Sequence, residues 1–230
     1  MLPQIDKKKK LYFFLILFIF LTTINNVNFI TKTNSFFNVN KISIHGLNDN
    51  LNQILKKKIK FIINEKIYLI NKNNLDQIIK NFNFIDKFTV KKIFPSEIKI
   101  TINQSKLIAS TIKEGKNYYI GSNGKLIEKQ LFNTEEPLPY VFGDFSNEKF
   151  KMIVKKIKSV GIDHKSFDSY YYYKNGRWDL KLKNDKIIKL PRENLEEALF
   201  KAKILLESEE TKHYKIIDLR IPNQVILNND

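Results

Sequence analysis

Four consecutive lysines, Lys7–Lys10, run directly into Leu11-Tyr-Phe-Phe-Leu-Ile-Leu-Phe-Ile-Phe-Leu21, and a thinner apolar stretch continues to Ile30. Nothing else constrains the chain as much, because this run decides on which side of a membrane the rest is placed. A helix over residues 11–30, at ~1.5 Å per residue, would be about 30 Å long, the thickness of a bilayer's hydrocarbon core. Its outer half is weaker, since Thr22, Thr23, Asn25, Asn26 and Asn28 interrupt it. The continuous part, Leu11–Leu21, would also suit the core of a cleaved signal peptide. Cleavage needs small residues, however, and the bulky Ile24, Val27, Phe29 and Ile30 occupy that region. The pattern therefore favours an uncleaved transmembrane helix over 11–30. The lysines hold residues 1–10 as a cytoplasmic stub by the positive-inside rule, and the remainder is expected outside the cytoplasm.

The 230-residue chain then has roughly 200 residues left for folded structure, one large domain or two small ones. It contains no cysteine, so neither disulfides nor thiolate metal sites nor cysteine nucleophiles contribute. A net charge of +16 would suit an anionic partner. Lysines are nevertheless scattered through every segment together with many Asn and Ile residues, which reads as compositional bias rather than one designed patch. No nucleic-acid partner is expected.

Residues 31–37 read as a polar connector, and a first domain is expected over 38–105. Val39, Ile42 and Ile44 form a strand-like stretch ending at Gly46, with a change of parity that suggests a bulge. Leu51, Ile54, Leu55, Ile59 and Ile62 then fall on one helical face. A second helix is expected to start at Asn74, capped with Gln77, and to present Leu75, Ile78, Ile79 and Phe82. Two strands follow, Phe88–Ile93 and Glu97–Asn103, with Pro95 between them. The order β-α-α-β-β suits two helices over one face of a three-stranded sheet.

Over 106–230 the pattern changes to a mainly antiparallel β-domain with flanking helices, so the chain as a whole reads as α+β. Strands are expected at Leu107–Ile112, Tyr118–Ile120 and Lys125–Glu128, with Asn123-Gly124 as a hairpin signal. Pro137–Gly143 is extended. A helix capped by Ser146 runs to Gly161 with Phe150, Ile153, Val154 and Ile157 on one face. Tyr170–Tyr173 and Trp178–Leu182 read as strands, Asn184-Asp185 as a turn, and Lys186–Leu190 as the return strand. After a helix with Leu195, Ala198, Leu199, Ala202 and Leu205 inward, strands are expected at Tyr214–Ile221 and Val225–Leu227, separated by Pro222-Asn223.

No catalytic constellation is present. His45, His164 and His213 are isolated, and no nucleophile-elbow sequence occurs. Gly121-Ser-Asn-Gly124 lacks the spacing of a phosphate loop. No metal, cofactor or small-molecule substrate is therefore expected, which leaves binding. A sheet that ends at the C-terminus tends to leave an edge strand with unpaired backbone groups, and the short apolar Val225-Ile226-Leu227 suits that role.

The part beyond the apolar run resembles the FtsQ/DivIB family of bacterial cell division proteins. Val39-Asn-Lys-Ile-Ser-Ile-His-Gly46 and Val90-Lys-Lys-Ile-Phe-Pro95, with the alternating Glu97–Ile102 stretch, are similar to that family's POTRA domain. Leu138-Pro139 with Gly143, Gly176-Arg-Trp-Asp-Leu180, Leu190-Pro-Arg192 and Ile217-Asp-Leu-Arg220 are similar to its β-domain. The family's Glu-Arg-x-Pro-like end to the last POTRA strand is replaced here by Asn103-Gln-Ser-Lys106. The resemblance implies an essential, non-enzymatic, single-pass inner-membrane scaffold of the divisome at the septum, its folded domains in the periplasm. It implies FtsB and FtsL, and other divisome membrane proteins, as partners, with strand addition at the C-terminal edge. The docking surface is then expected to include Arg177, Arg220, Ile221, Val225, Ile226 and Leu227. For Arg220 an internal ion pair with Asp218 is the alternative, and for Arg177 stacking on a neighbouring aromatic ring. A POTRA-type chaperone of outer-membrane protein assembly and a membrane-anchored cell-wall enzyme are the rival readings. The first usually has several POTRA units and a barrel, and the second needs a polar cluster that this sequence lacks.

Overall fold

The computed structural model describes residues 7–23, 35–132 and 137–229. Helix α1 spans Lys7–Thr23, and every side chain from Leu11 to Leu21 is exposed. Among the described residues no helix is long and apolar enough to cross a membrane. Of the expected span of 11–30, residues 11–23 lie in this 17-residue helix, which begins with the four lysines. Its continuous apolar stretch is Leu11–Leu21, short of the ~20 residues a crossing requires. The rest of the expected span lies outside the described residues.

The chain divides into two compact units. The first takes in residues up to Ile79 together with Phe88–Ile102. Its elements are β1 (Lys41–His45), α2 (Asp49–Ile59), α3 (Lys72–Lys80), β2 (Ile85–Ile93) and β3 (Glu97–Gln104). Strand β3 is central, with β1 parallel to it in the register Ile42↔Ile98 and Ile44↔Ile100, and β2 on its other side. The Ile98/Ile100/Ile102 alternation buries one face of β3 almost completely. Leu51, Leu55 and Ile59 on α2 and Leu75 and Ile79 on α3 are buried likewise. Asn48 caps α2, its side chain accepting from the Leu51 N–H at 2.9 Å. Helix α3 begins two residues before the expected Asn74, where the Asn71 side chain accepts from the Asn73 N–H at 2.9 Å. Gly46 ends β1 with φ +94°, and a Cβ there would lie 1.9 Å from the Ile102 carbonyl oxygen. Only glycine fits that approach.

The second unit takes in Lys80–Lys87 and the chain from Asn103 onward. Its strands are β4 (Leu107–Lys113), β5 (Lys116–Gly121), β6 (Leu126–Glu128), β7 (Tyr140–Phe142), β8 (Phe167–Tyr172), β9 (Trp178–Leu182), β10 (Ile187–Lys189), β11 (Ile216–Asp218) and β12 (Ile226–Asn228). Its helices are α4 (Asn147–Ser159) and α5 (Leu195–Glu207). The nine strands lie in the order β12-β11-β10-β9-β8-β7-β4-β5-β6. Most pairs are antiparallel, but β4–β7, β7–β8 and β10–β11 are parallel. A parallel neighbour needs a crossover, and α4 and α5 supply it for β7–β8 and β10–β11.

Strand registers join Val141, Tyr170, Leu180, Ile188 and Ile217 into one cross-strand row, ending at Leu227. This row forms one core with Phe150, Ile153, Val154 and Ile157 of α4 and Ala198, Leu199 and Ala202 of α5. The Tyr170 hydroxyl donates to the His164 carbonyl at 3.2 Å, so its polar end is satisfied inside that core. The strands are shorter than expected at the C-terminal end: Tyr214–Ile221 reduces to Ile216–Asp218, because only three residues pair with β10.

Candidate functional site

Among the described residues, strand β12 lies at one end of the nine-stranded sheet and has β11 as its only strand neighbour. The register Ile217↔Leu227 turns Leu227 toward the core, where it packs against the cluster. Period-2 alternation then turns Ile226 to the opposite face, and it is 47% exposed. Val225 and Ile221 are exposed as well. The four apolar members of the expected docking surface thus fall in and just before the terminal strand.

One residue along from the core row, the same registers build a second row on the other face: Phe142, Tyr171, Asp179, Lys189, Asp218 and Ile226. Its middle is ionic, and it leads directly to the sheet edge. Asp179 and Asp218 are both buried. The Arg220 Nε donates to Asp218 Oδ1 at 2.8 Å and to Oδ2 at 2.9 Å, and Nη2 donates to Oδ2 at 2.5 Å. The Arg220 backbone N–H also donates to Oδ1, at 3.1 Å. Burial works against charge on Asp218, but the hydrogen bonds from Arg220 outweigh it and hold the carboxyl below the usual range. Of the two readings of Arg220, the internal ion pair is the one the geometry displays, with the side chain still partly open to solvent.

Arg177 behaves differently. Its guanidinium carbon lies 4.5 Å from the centroid of the Tyr173 ring, so the aromatic partner is Tyr173 and not the adjoining Trp178. Its Nε is 3.8 Å from Asp179 Oδ1, beyond hydrogen-bond reach, and both atoms are buried without a hydrogen-bond partner. Burial pushes the Asp179 carboxyl up, against the opposing pull of Arg177, the Tyr173 hydroxyl, Lys189 and Arg220. Lys189 and Tyr173, which sequence reasoning did not single out, therefore belong to this cluster. The signal for Lys189 is its place at the end of a short β-branched run, and only the register sets it between the two aspartates. A cavity of about 510 Å³ adjoins the cluster, lined by Arg192, Leu219, Arg220, Ile221 and Gln224 among others.

Among the described residues no three His, Cys, Asp or Glu side chains are grouped to hold a metal. His164 is mostly buried, and burial lowers its pKa. His213 packs on Tyr214 with ring centroids 4.0 Å apart, and His45 is exposed.

The family model for the C-terminal region of cell division protein FtsQ/DivIB matches residues 111–220. The chain is also 26% identical over 199 residues to the cell division protein FtsQ of Rickettsia bellii (strain RML369-C), an alignment covering 84% of this chain and 73% of the relative. Over this region the chain is similar to the FtsQ/DivIB family. The match to the FtsQ/DivIB region contains Arg177 and Arg220 and stops before Ile221 and the terminal strand. Among solved structures, the major extracytoplasmic domain of DivIB from Geobacillus stearothermophilus is similar at 12% identity, covering 41% of this chain and 85% of that one, with a TM-score of 0.31. A score that low decides nothing about a shared fold.

Proposed function

We propose that this cell division protein is a non-enzymatic scaffold of the divisome, held at the inner membrane by its N-terminal segment and working by protein capture in the periplasm. In this reading residues 1–10 are cytoplasmic, 11–30 form the anchor, 31–37 connect, 38–105 are a POTRA domain and 106–230 the β-domain. Apolar residues all round α1, behind four lysines, support the anchor, because a helix greasy on every side needs a non-aqueous surround. The β-α-α-β-β order of the first unit supports the POTRA reading.

The partners proposed are FtsB and FtsL, recruited by addition of a strand to β12. The observation that carries this is the position of Ile226–Asn228 at the end of the sheet, with Val225 and Ile226 exposed beside it. Arg220 and Ile221 lie between β11 and β12, where a partner carboxylate would meet the partly exposed Arg220 side chain, and Arg177, before β9, is a further proposed contact.

The test is binding of the full chain, in detergent micelles, to the extracytoplasmic part of the same organism's FtsB, with and without Ile226→Pro. Proline removes the Ile226 N–H, which the register turns toward Asp218 of β11, and so loosens the edge strand that a partner would extend. We expect binding by the native chain and at least about a tenfold loss in the variant, equivalent to ~1.4 kcal/mol, at an unchanged circular dichroism spectrum. Equal binding by both would move the docking site away from β12.

A further inference from the structure

A second concave surface on the β-domain uses none of the residues at the β12 edge. It has a volume of about 380 Å³ and lies between α4, the β8–β9 turn and the start of α5. Of its eleven lining residues four are cations, Lys149, Lys156, Lys174 and Arg192, and none is acidic. Lys156 is paired with Glu196 at 2.8 Å. Lys149 has a neutral partner: its Nζ donates to the Tyr172 hydroxyl at 2.7 Å and sits 5.1 Å from the centroid of that ring. Among the described residues, Lys174 and Arg192 enter no ion pair. The pocket therefore gathers three cations without a carboxylate, from three separate elements, against a low-dielectric wall that focuses their field.

The wall is also apolar. Trp178 and Ile153 are almost fully buried behind it, and the flexible thioether of Met152 is 58% exposed at its side. A hydrated phosphate would gain nothing from these groups, and a flat bilayer surface would reach lysine tips without filling a concavity. A side chain carrying a carboxylate, next to an aliphatic one, satisfies both halves. We propose that this pocket is a docking site for an acidic peptide segment of a partner protein, with Lys149, Lys174 and Arg192 receiving its carboxylates and Met152, in front of the buried Trp178, its aliphatic side chain.

Trp178 is the sole tryptophan of the chain, so its emission reports on this pocket. The full chain in dodecyl maltoside micelles is titrated with the blocked peptide Glu-Leu-Glu-Leu, and separately with Gln-Leu-Gln-Leu. The expected result is a saturable change in Trp178 emission with the acidic peptide alone. Lys174→Glu should weaken the response about tenfold, Lys149→Gln should weaken it less, and Lys57→Glu in the first unit should leave it unchanged. Lys174 and Lys149 are exposed, and the circular dichroism of each variant checks that it is folded. The proposal is overturned if the acidic peptide gives no saturable change, if both peptides act alike, or if Lys174→Glu binds as tightly as the native chain. It is overturned too if phosphatidylglycerol vesicles shift the emission and the peptide does not, which would give the cations to lipid phosphate.

Discussion

Arg177–Asp179 and Asp218–Arg220 are two arginine–aspartate pairs of the same spacing, on the same sheet face, two strands apart. Their outcomes are opposite. Arg220 grips Asp218 through three side-chain contacts, and the carboxyl is held below its usual pKa range. Arg177 stops 3.8 Å short of Asp179, whose carboxyl is pushed up by burial. The difference begins in the backbone. Asp218 is the last residue of β11, so Arg220 lies beyond the pairing and its main chain can fold back to donate as well. Arg177 precedes β9, and its side chain lies on the ring of Tyr173 across the β8–β9 turn. Sequence spacing alone does not make an ion pair.

The largest effect expected from this contrast is on Arg220. Arg220→Ala leaves a buried carboxylate with one backbone donor and none of its side-chain donors, and should lower unfolding stability by about 2 kcal/mol, read from denaturant midpoints at neutral pH. A loss below about 0.5 kcal/mol would mean that water replaces the arginine without penalty. Arg177→Ala should cost less, under about 1 kcal/mol, because it forfeits a ring contact and a distant attraction but no hydrogen bond to Asp179. If Arg177→Ala proves the more damaging of the two, the contrast drawn here is wrong.

Acid titration sharpens the comparison, since the two aspartates carry opposite signs. Asp218 has its pKa depressed by folding, so its contribution is complete above the ordinary aspartate value near 3.8 and is lost as pH falls through the lower folded value. Asp218→Asn should therefore be less stable than the native chain at neutral pH, with the gap closing in strong acid. Asp179 has its pKa raised, so the folded state holds that proton more tightly than the unfolded one. Its contribution is unfavourable at neutral pH and disappears as pH drops below the ordinary value. The smallest effect follows: Asp179→Asn should raise stability at neutral pH by up to about 1 kcal/mol, and the gain should vanish on acidification. Melting curves of the two variants across the acid range would show the gaps closing from opposite sides, and gaps of the same sign would refute the assignment.

Local signals were the most legible. Ser146 caps α4, its hydroxyl accepting from the Lys149 N–H at 3.3 Å, and the four apolar residues read from the periodicity of that helix are all buried. Capping and periodicity act within a few residues, so sequence carries them in full. Where neighbours competed, the reading slipped: Asn71, Asn73 and Asn74 all offer cap side chains, and α3 starts with the first of them. The Asn123-Gly124 signal does join β5 to β6, through a loop closed by the Gly121 N–H to Lys125 carbonyl bond at 3.0 Å. Glu114-Gly115, which went unread, makes the tighter two-residue turn between β4 and β5, with φ of 51° and 74°. Glutamate seldom adopts a positive φ, and the pairing of Lys113 with Lys116 imposes it.

Sequence by itself determined the succession of elements, the core faces of α2, α4 and α5, the alternation of β3 and the family resemblance, all of which rest on short-range pattern. The tertiary structure alone decided which strand ends the sheet and which charges meet. The parallel step from β10 to β11 places β12 outermost, and long-range registers set Lys189 between Asp179 and Asp218. Lysines that look evenly spread along the chain converge as Lys149, Lys156 and Lys174 on one concave surface. The physical reason is the same throughout: a strand's or a helix's own pattern says which side it turns inward, but not which distant residue it will find there.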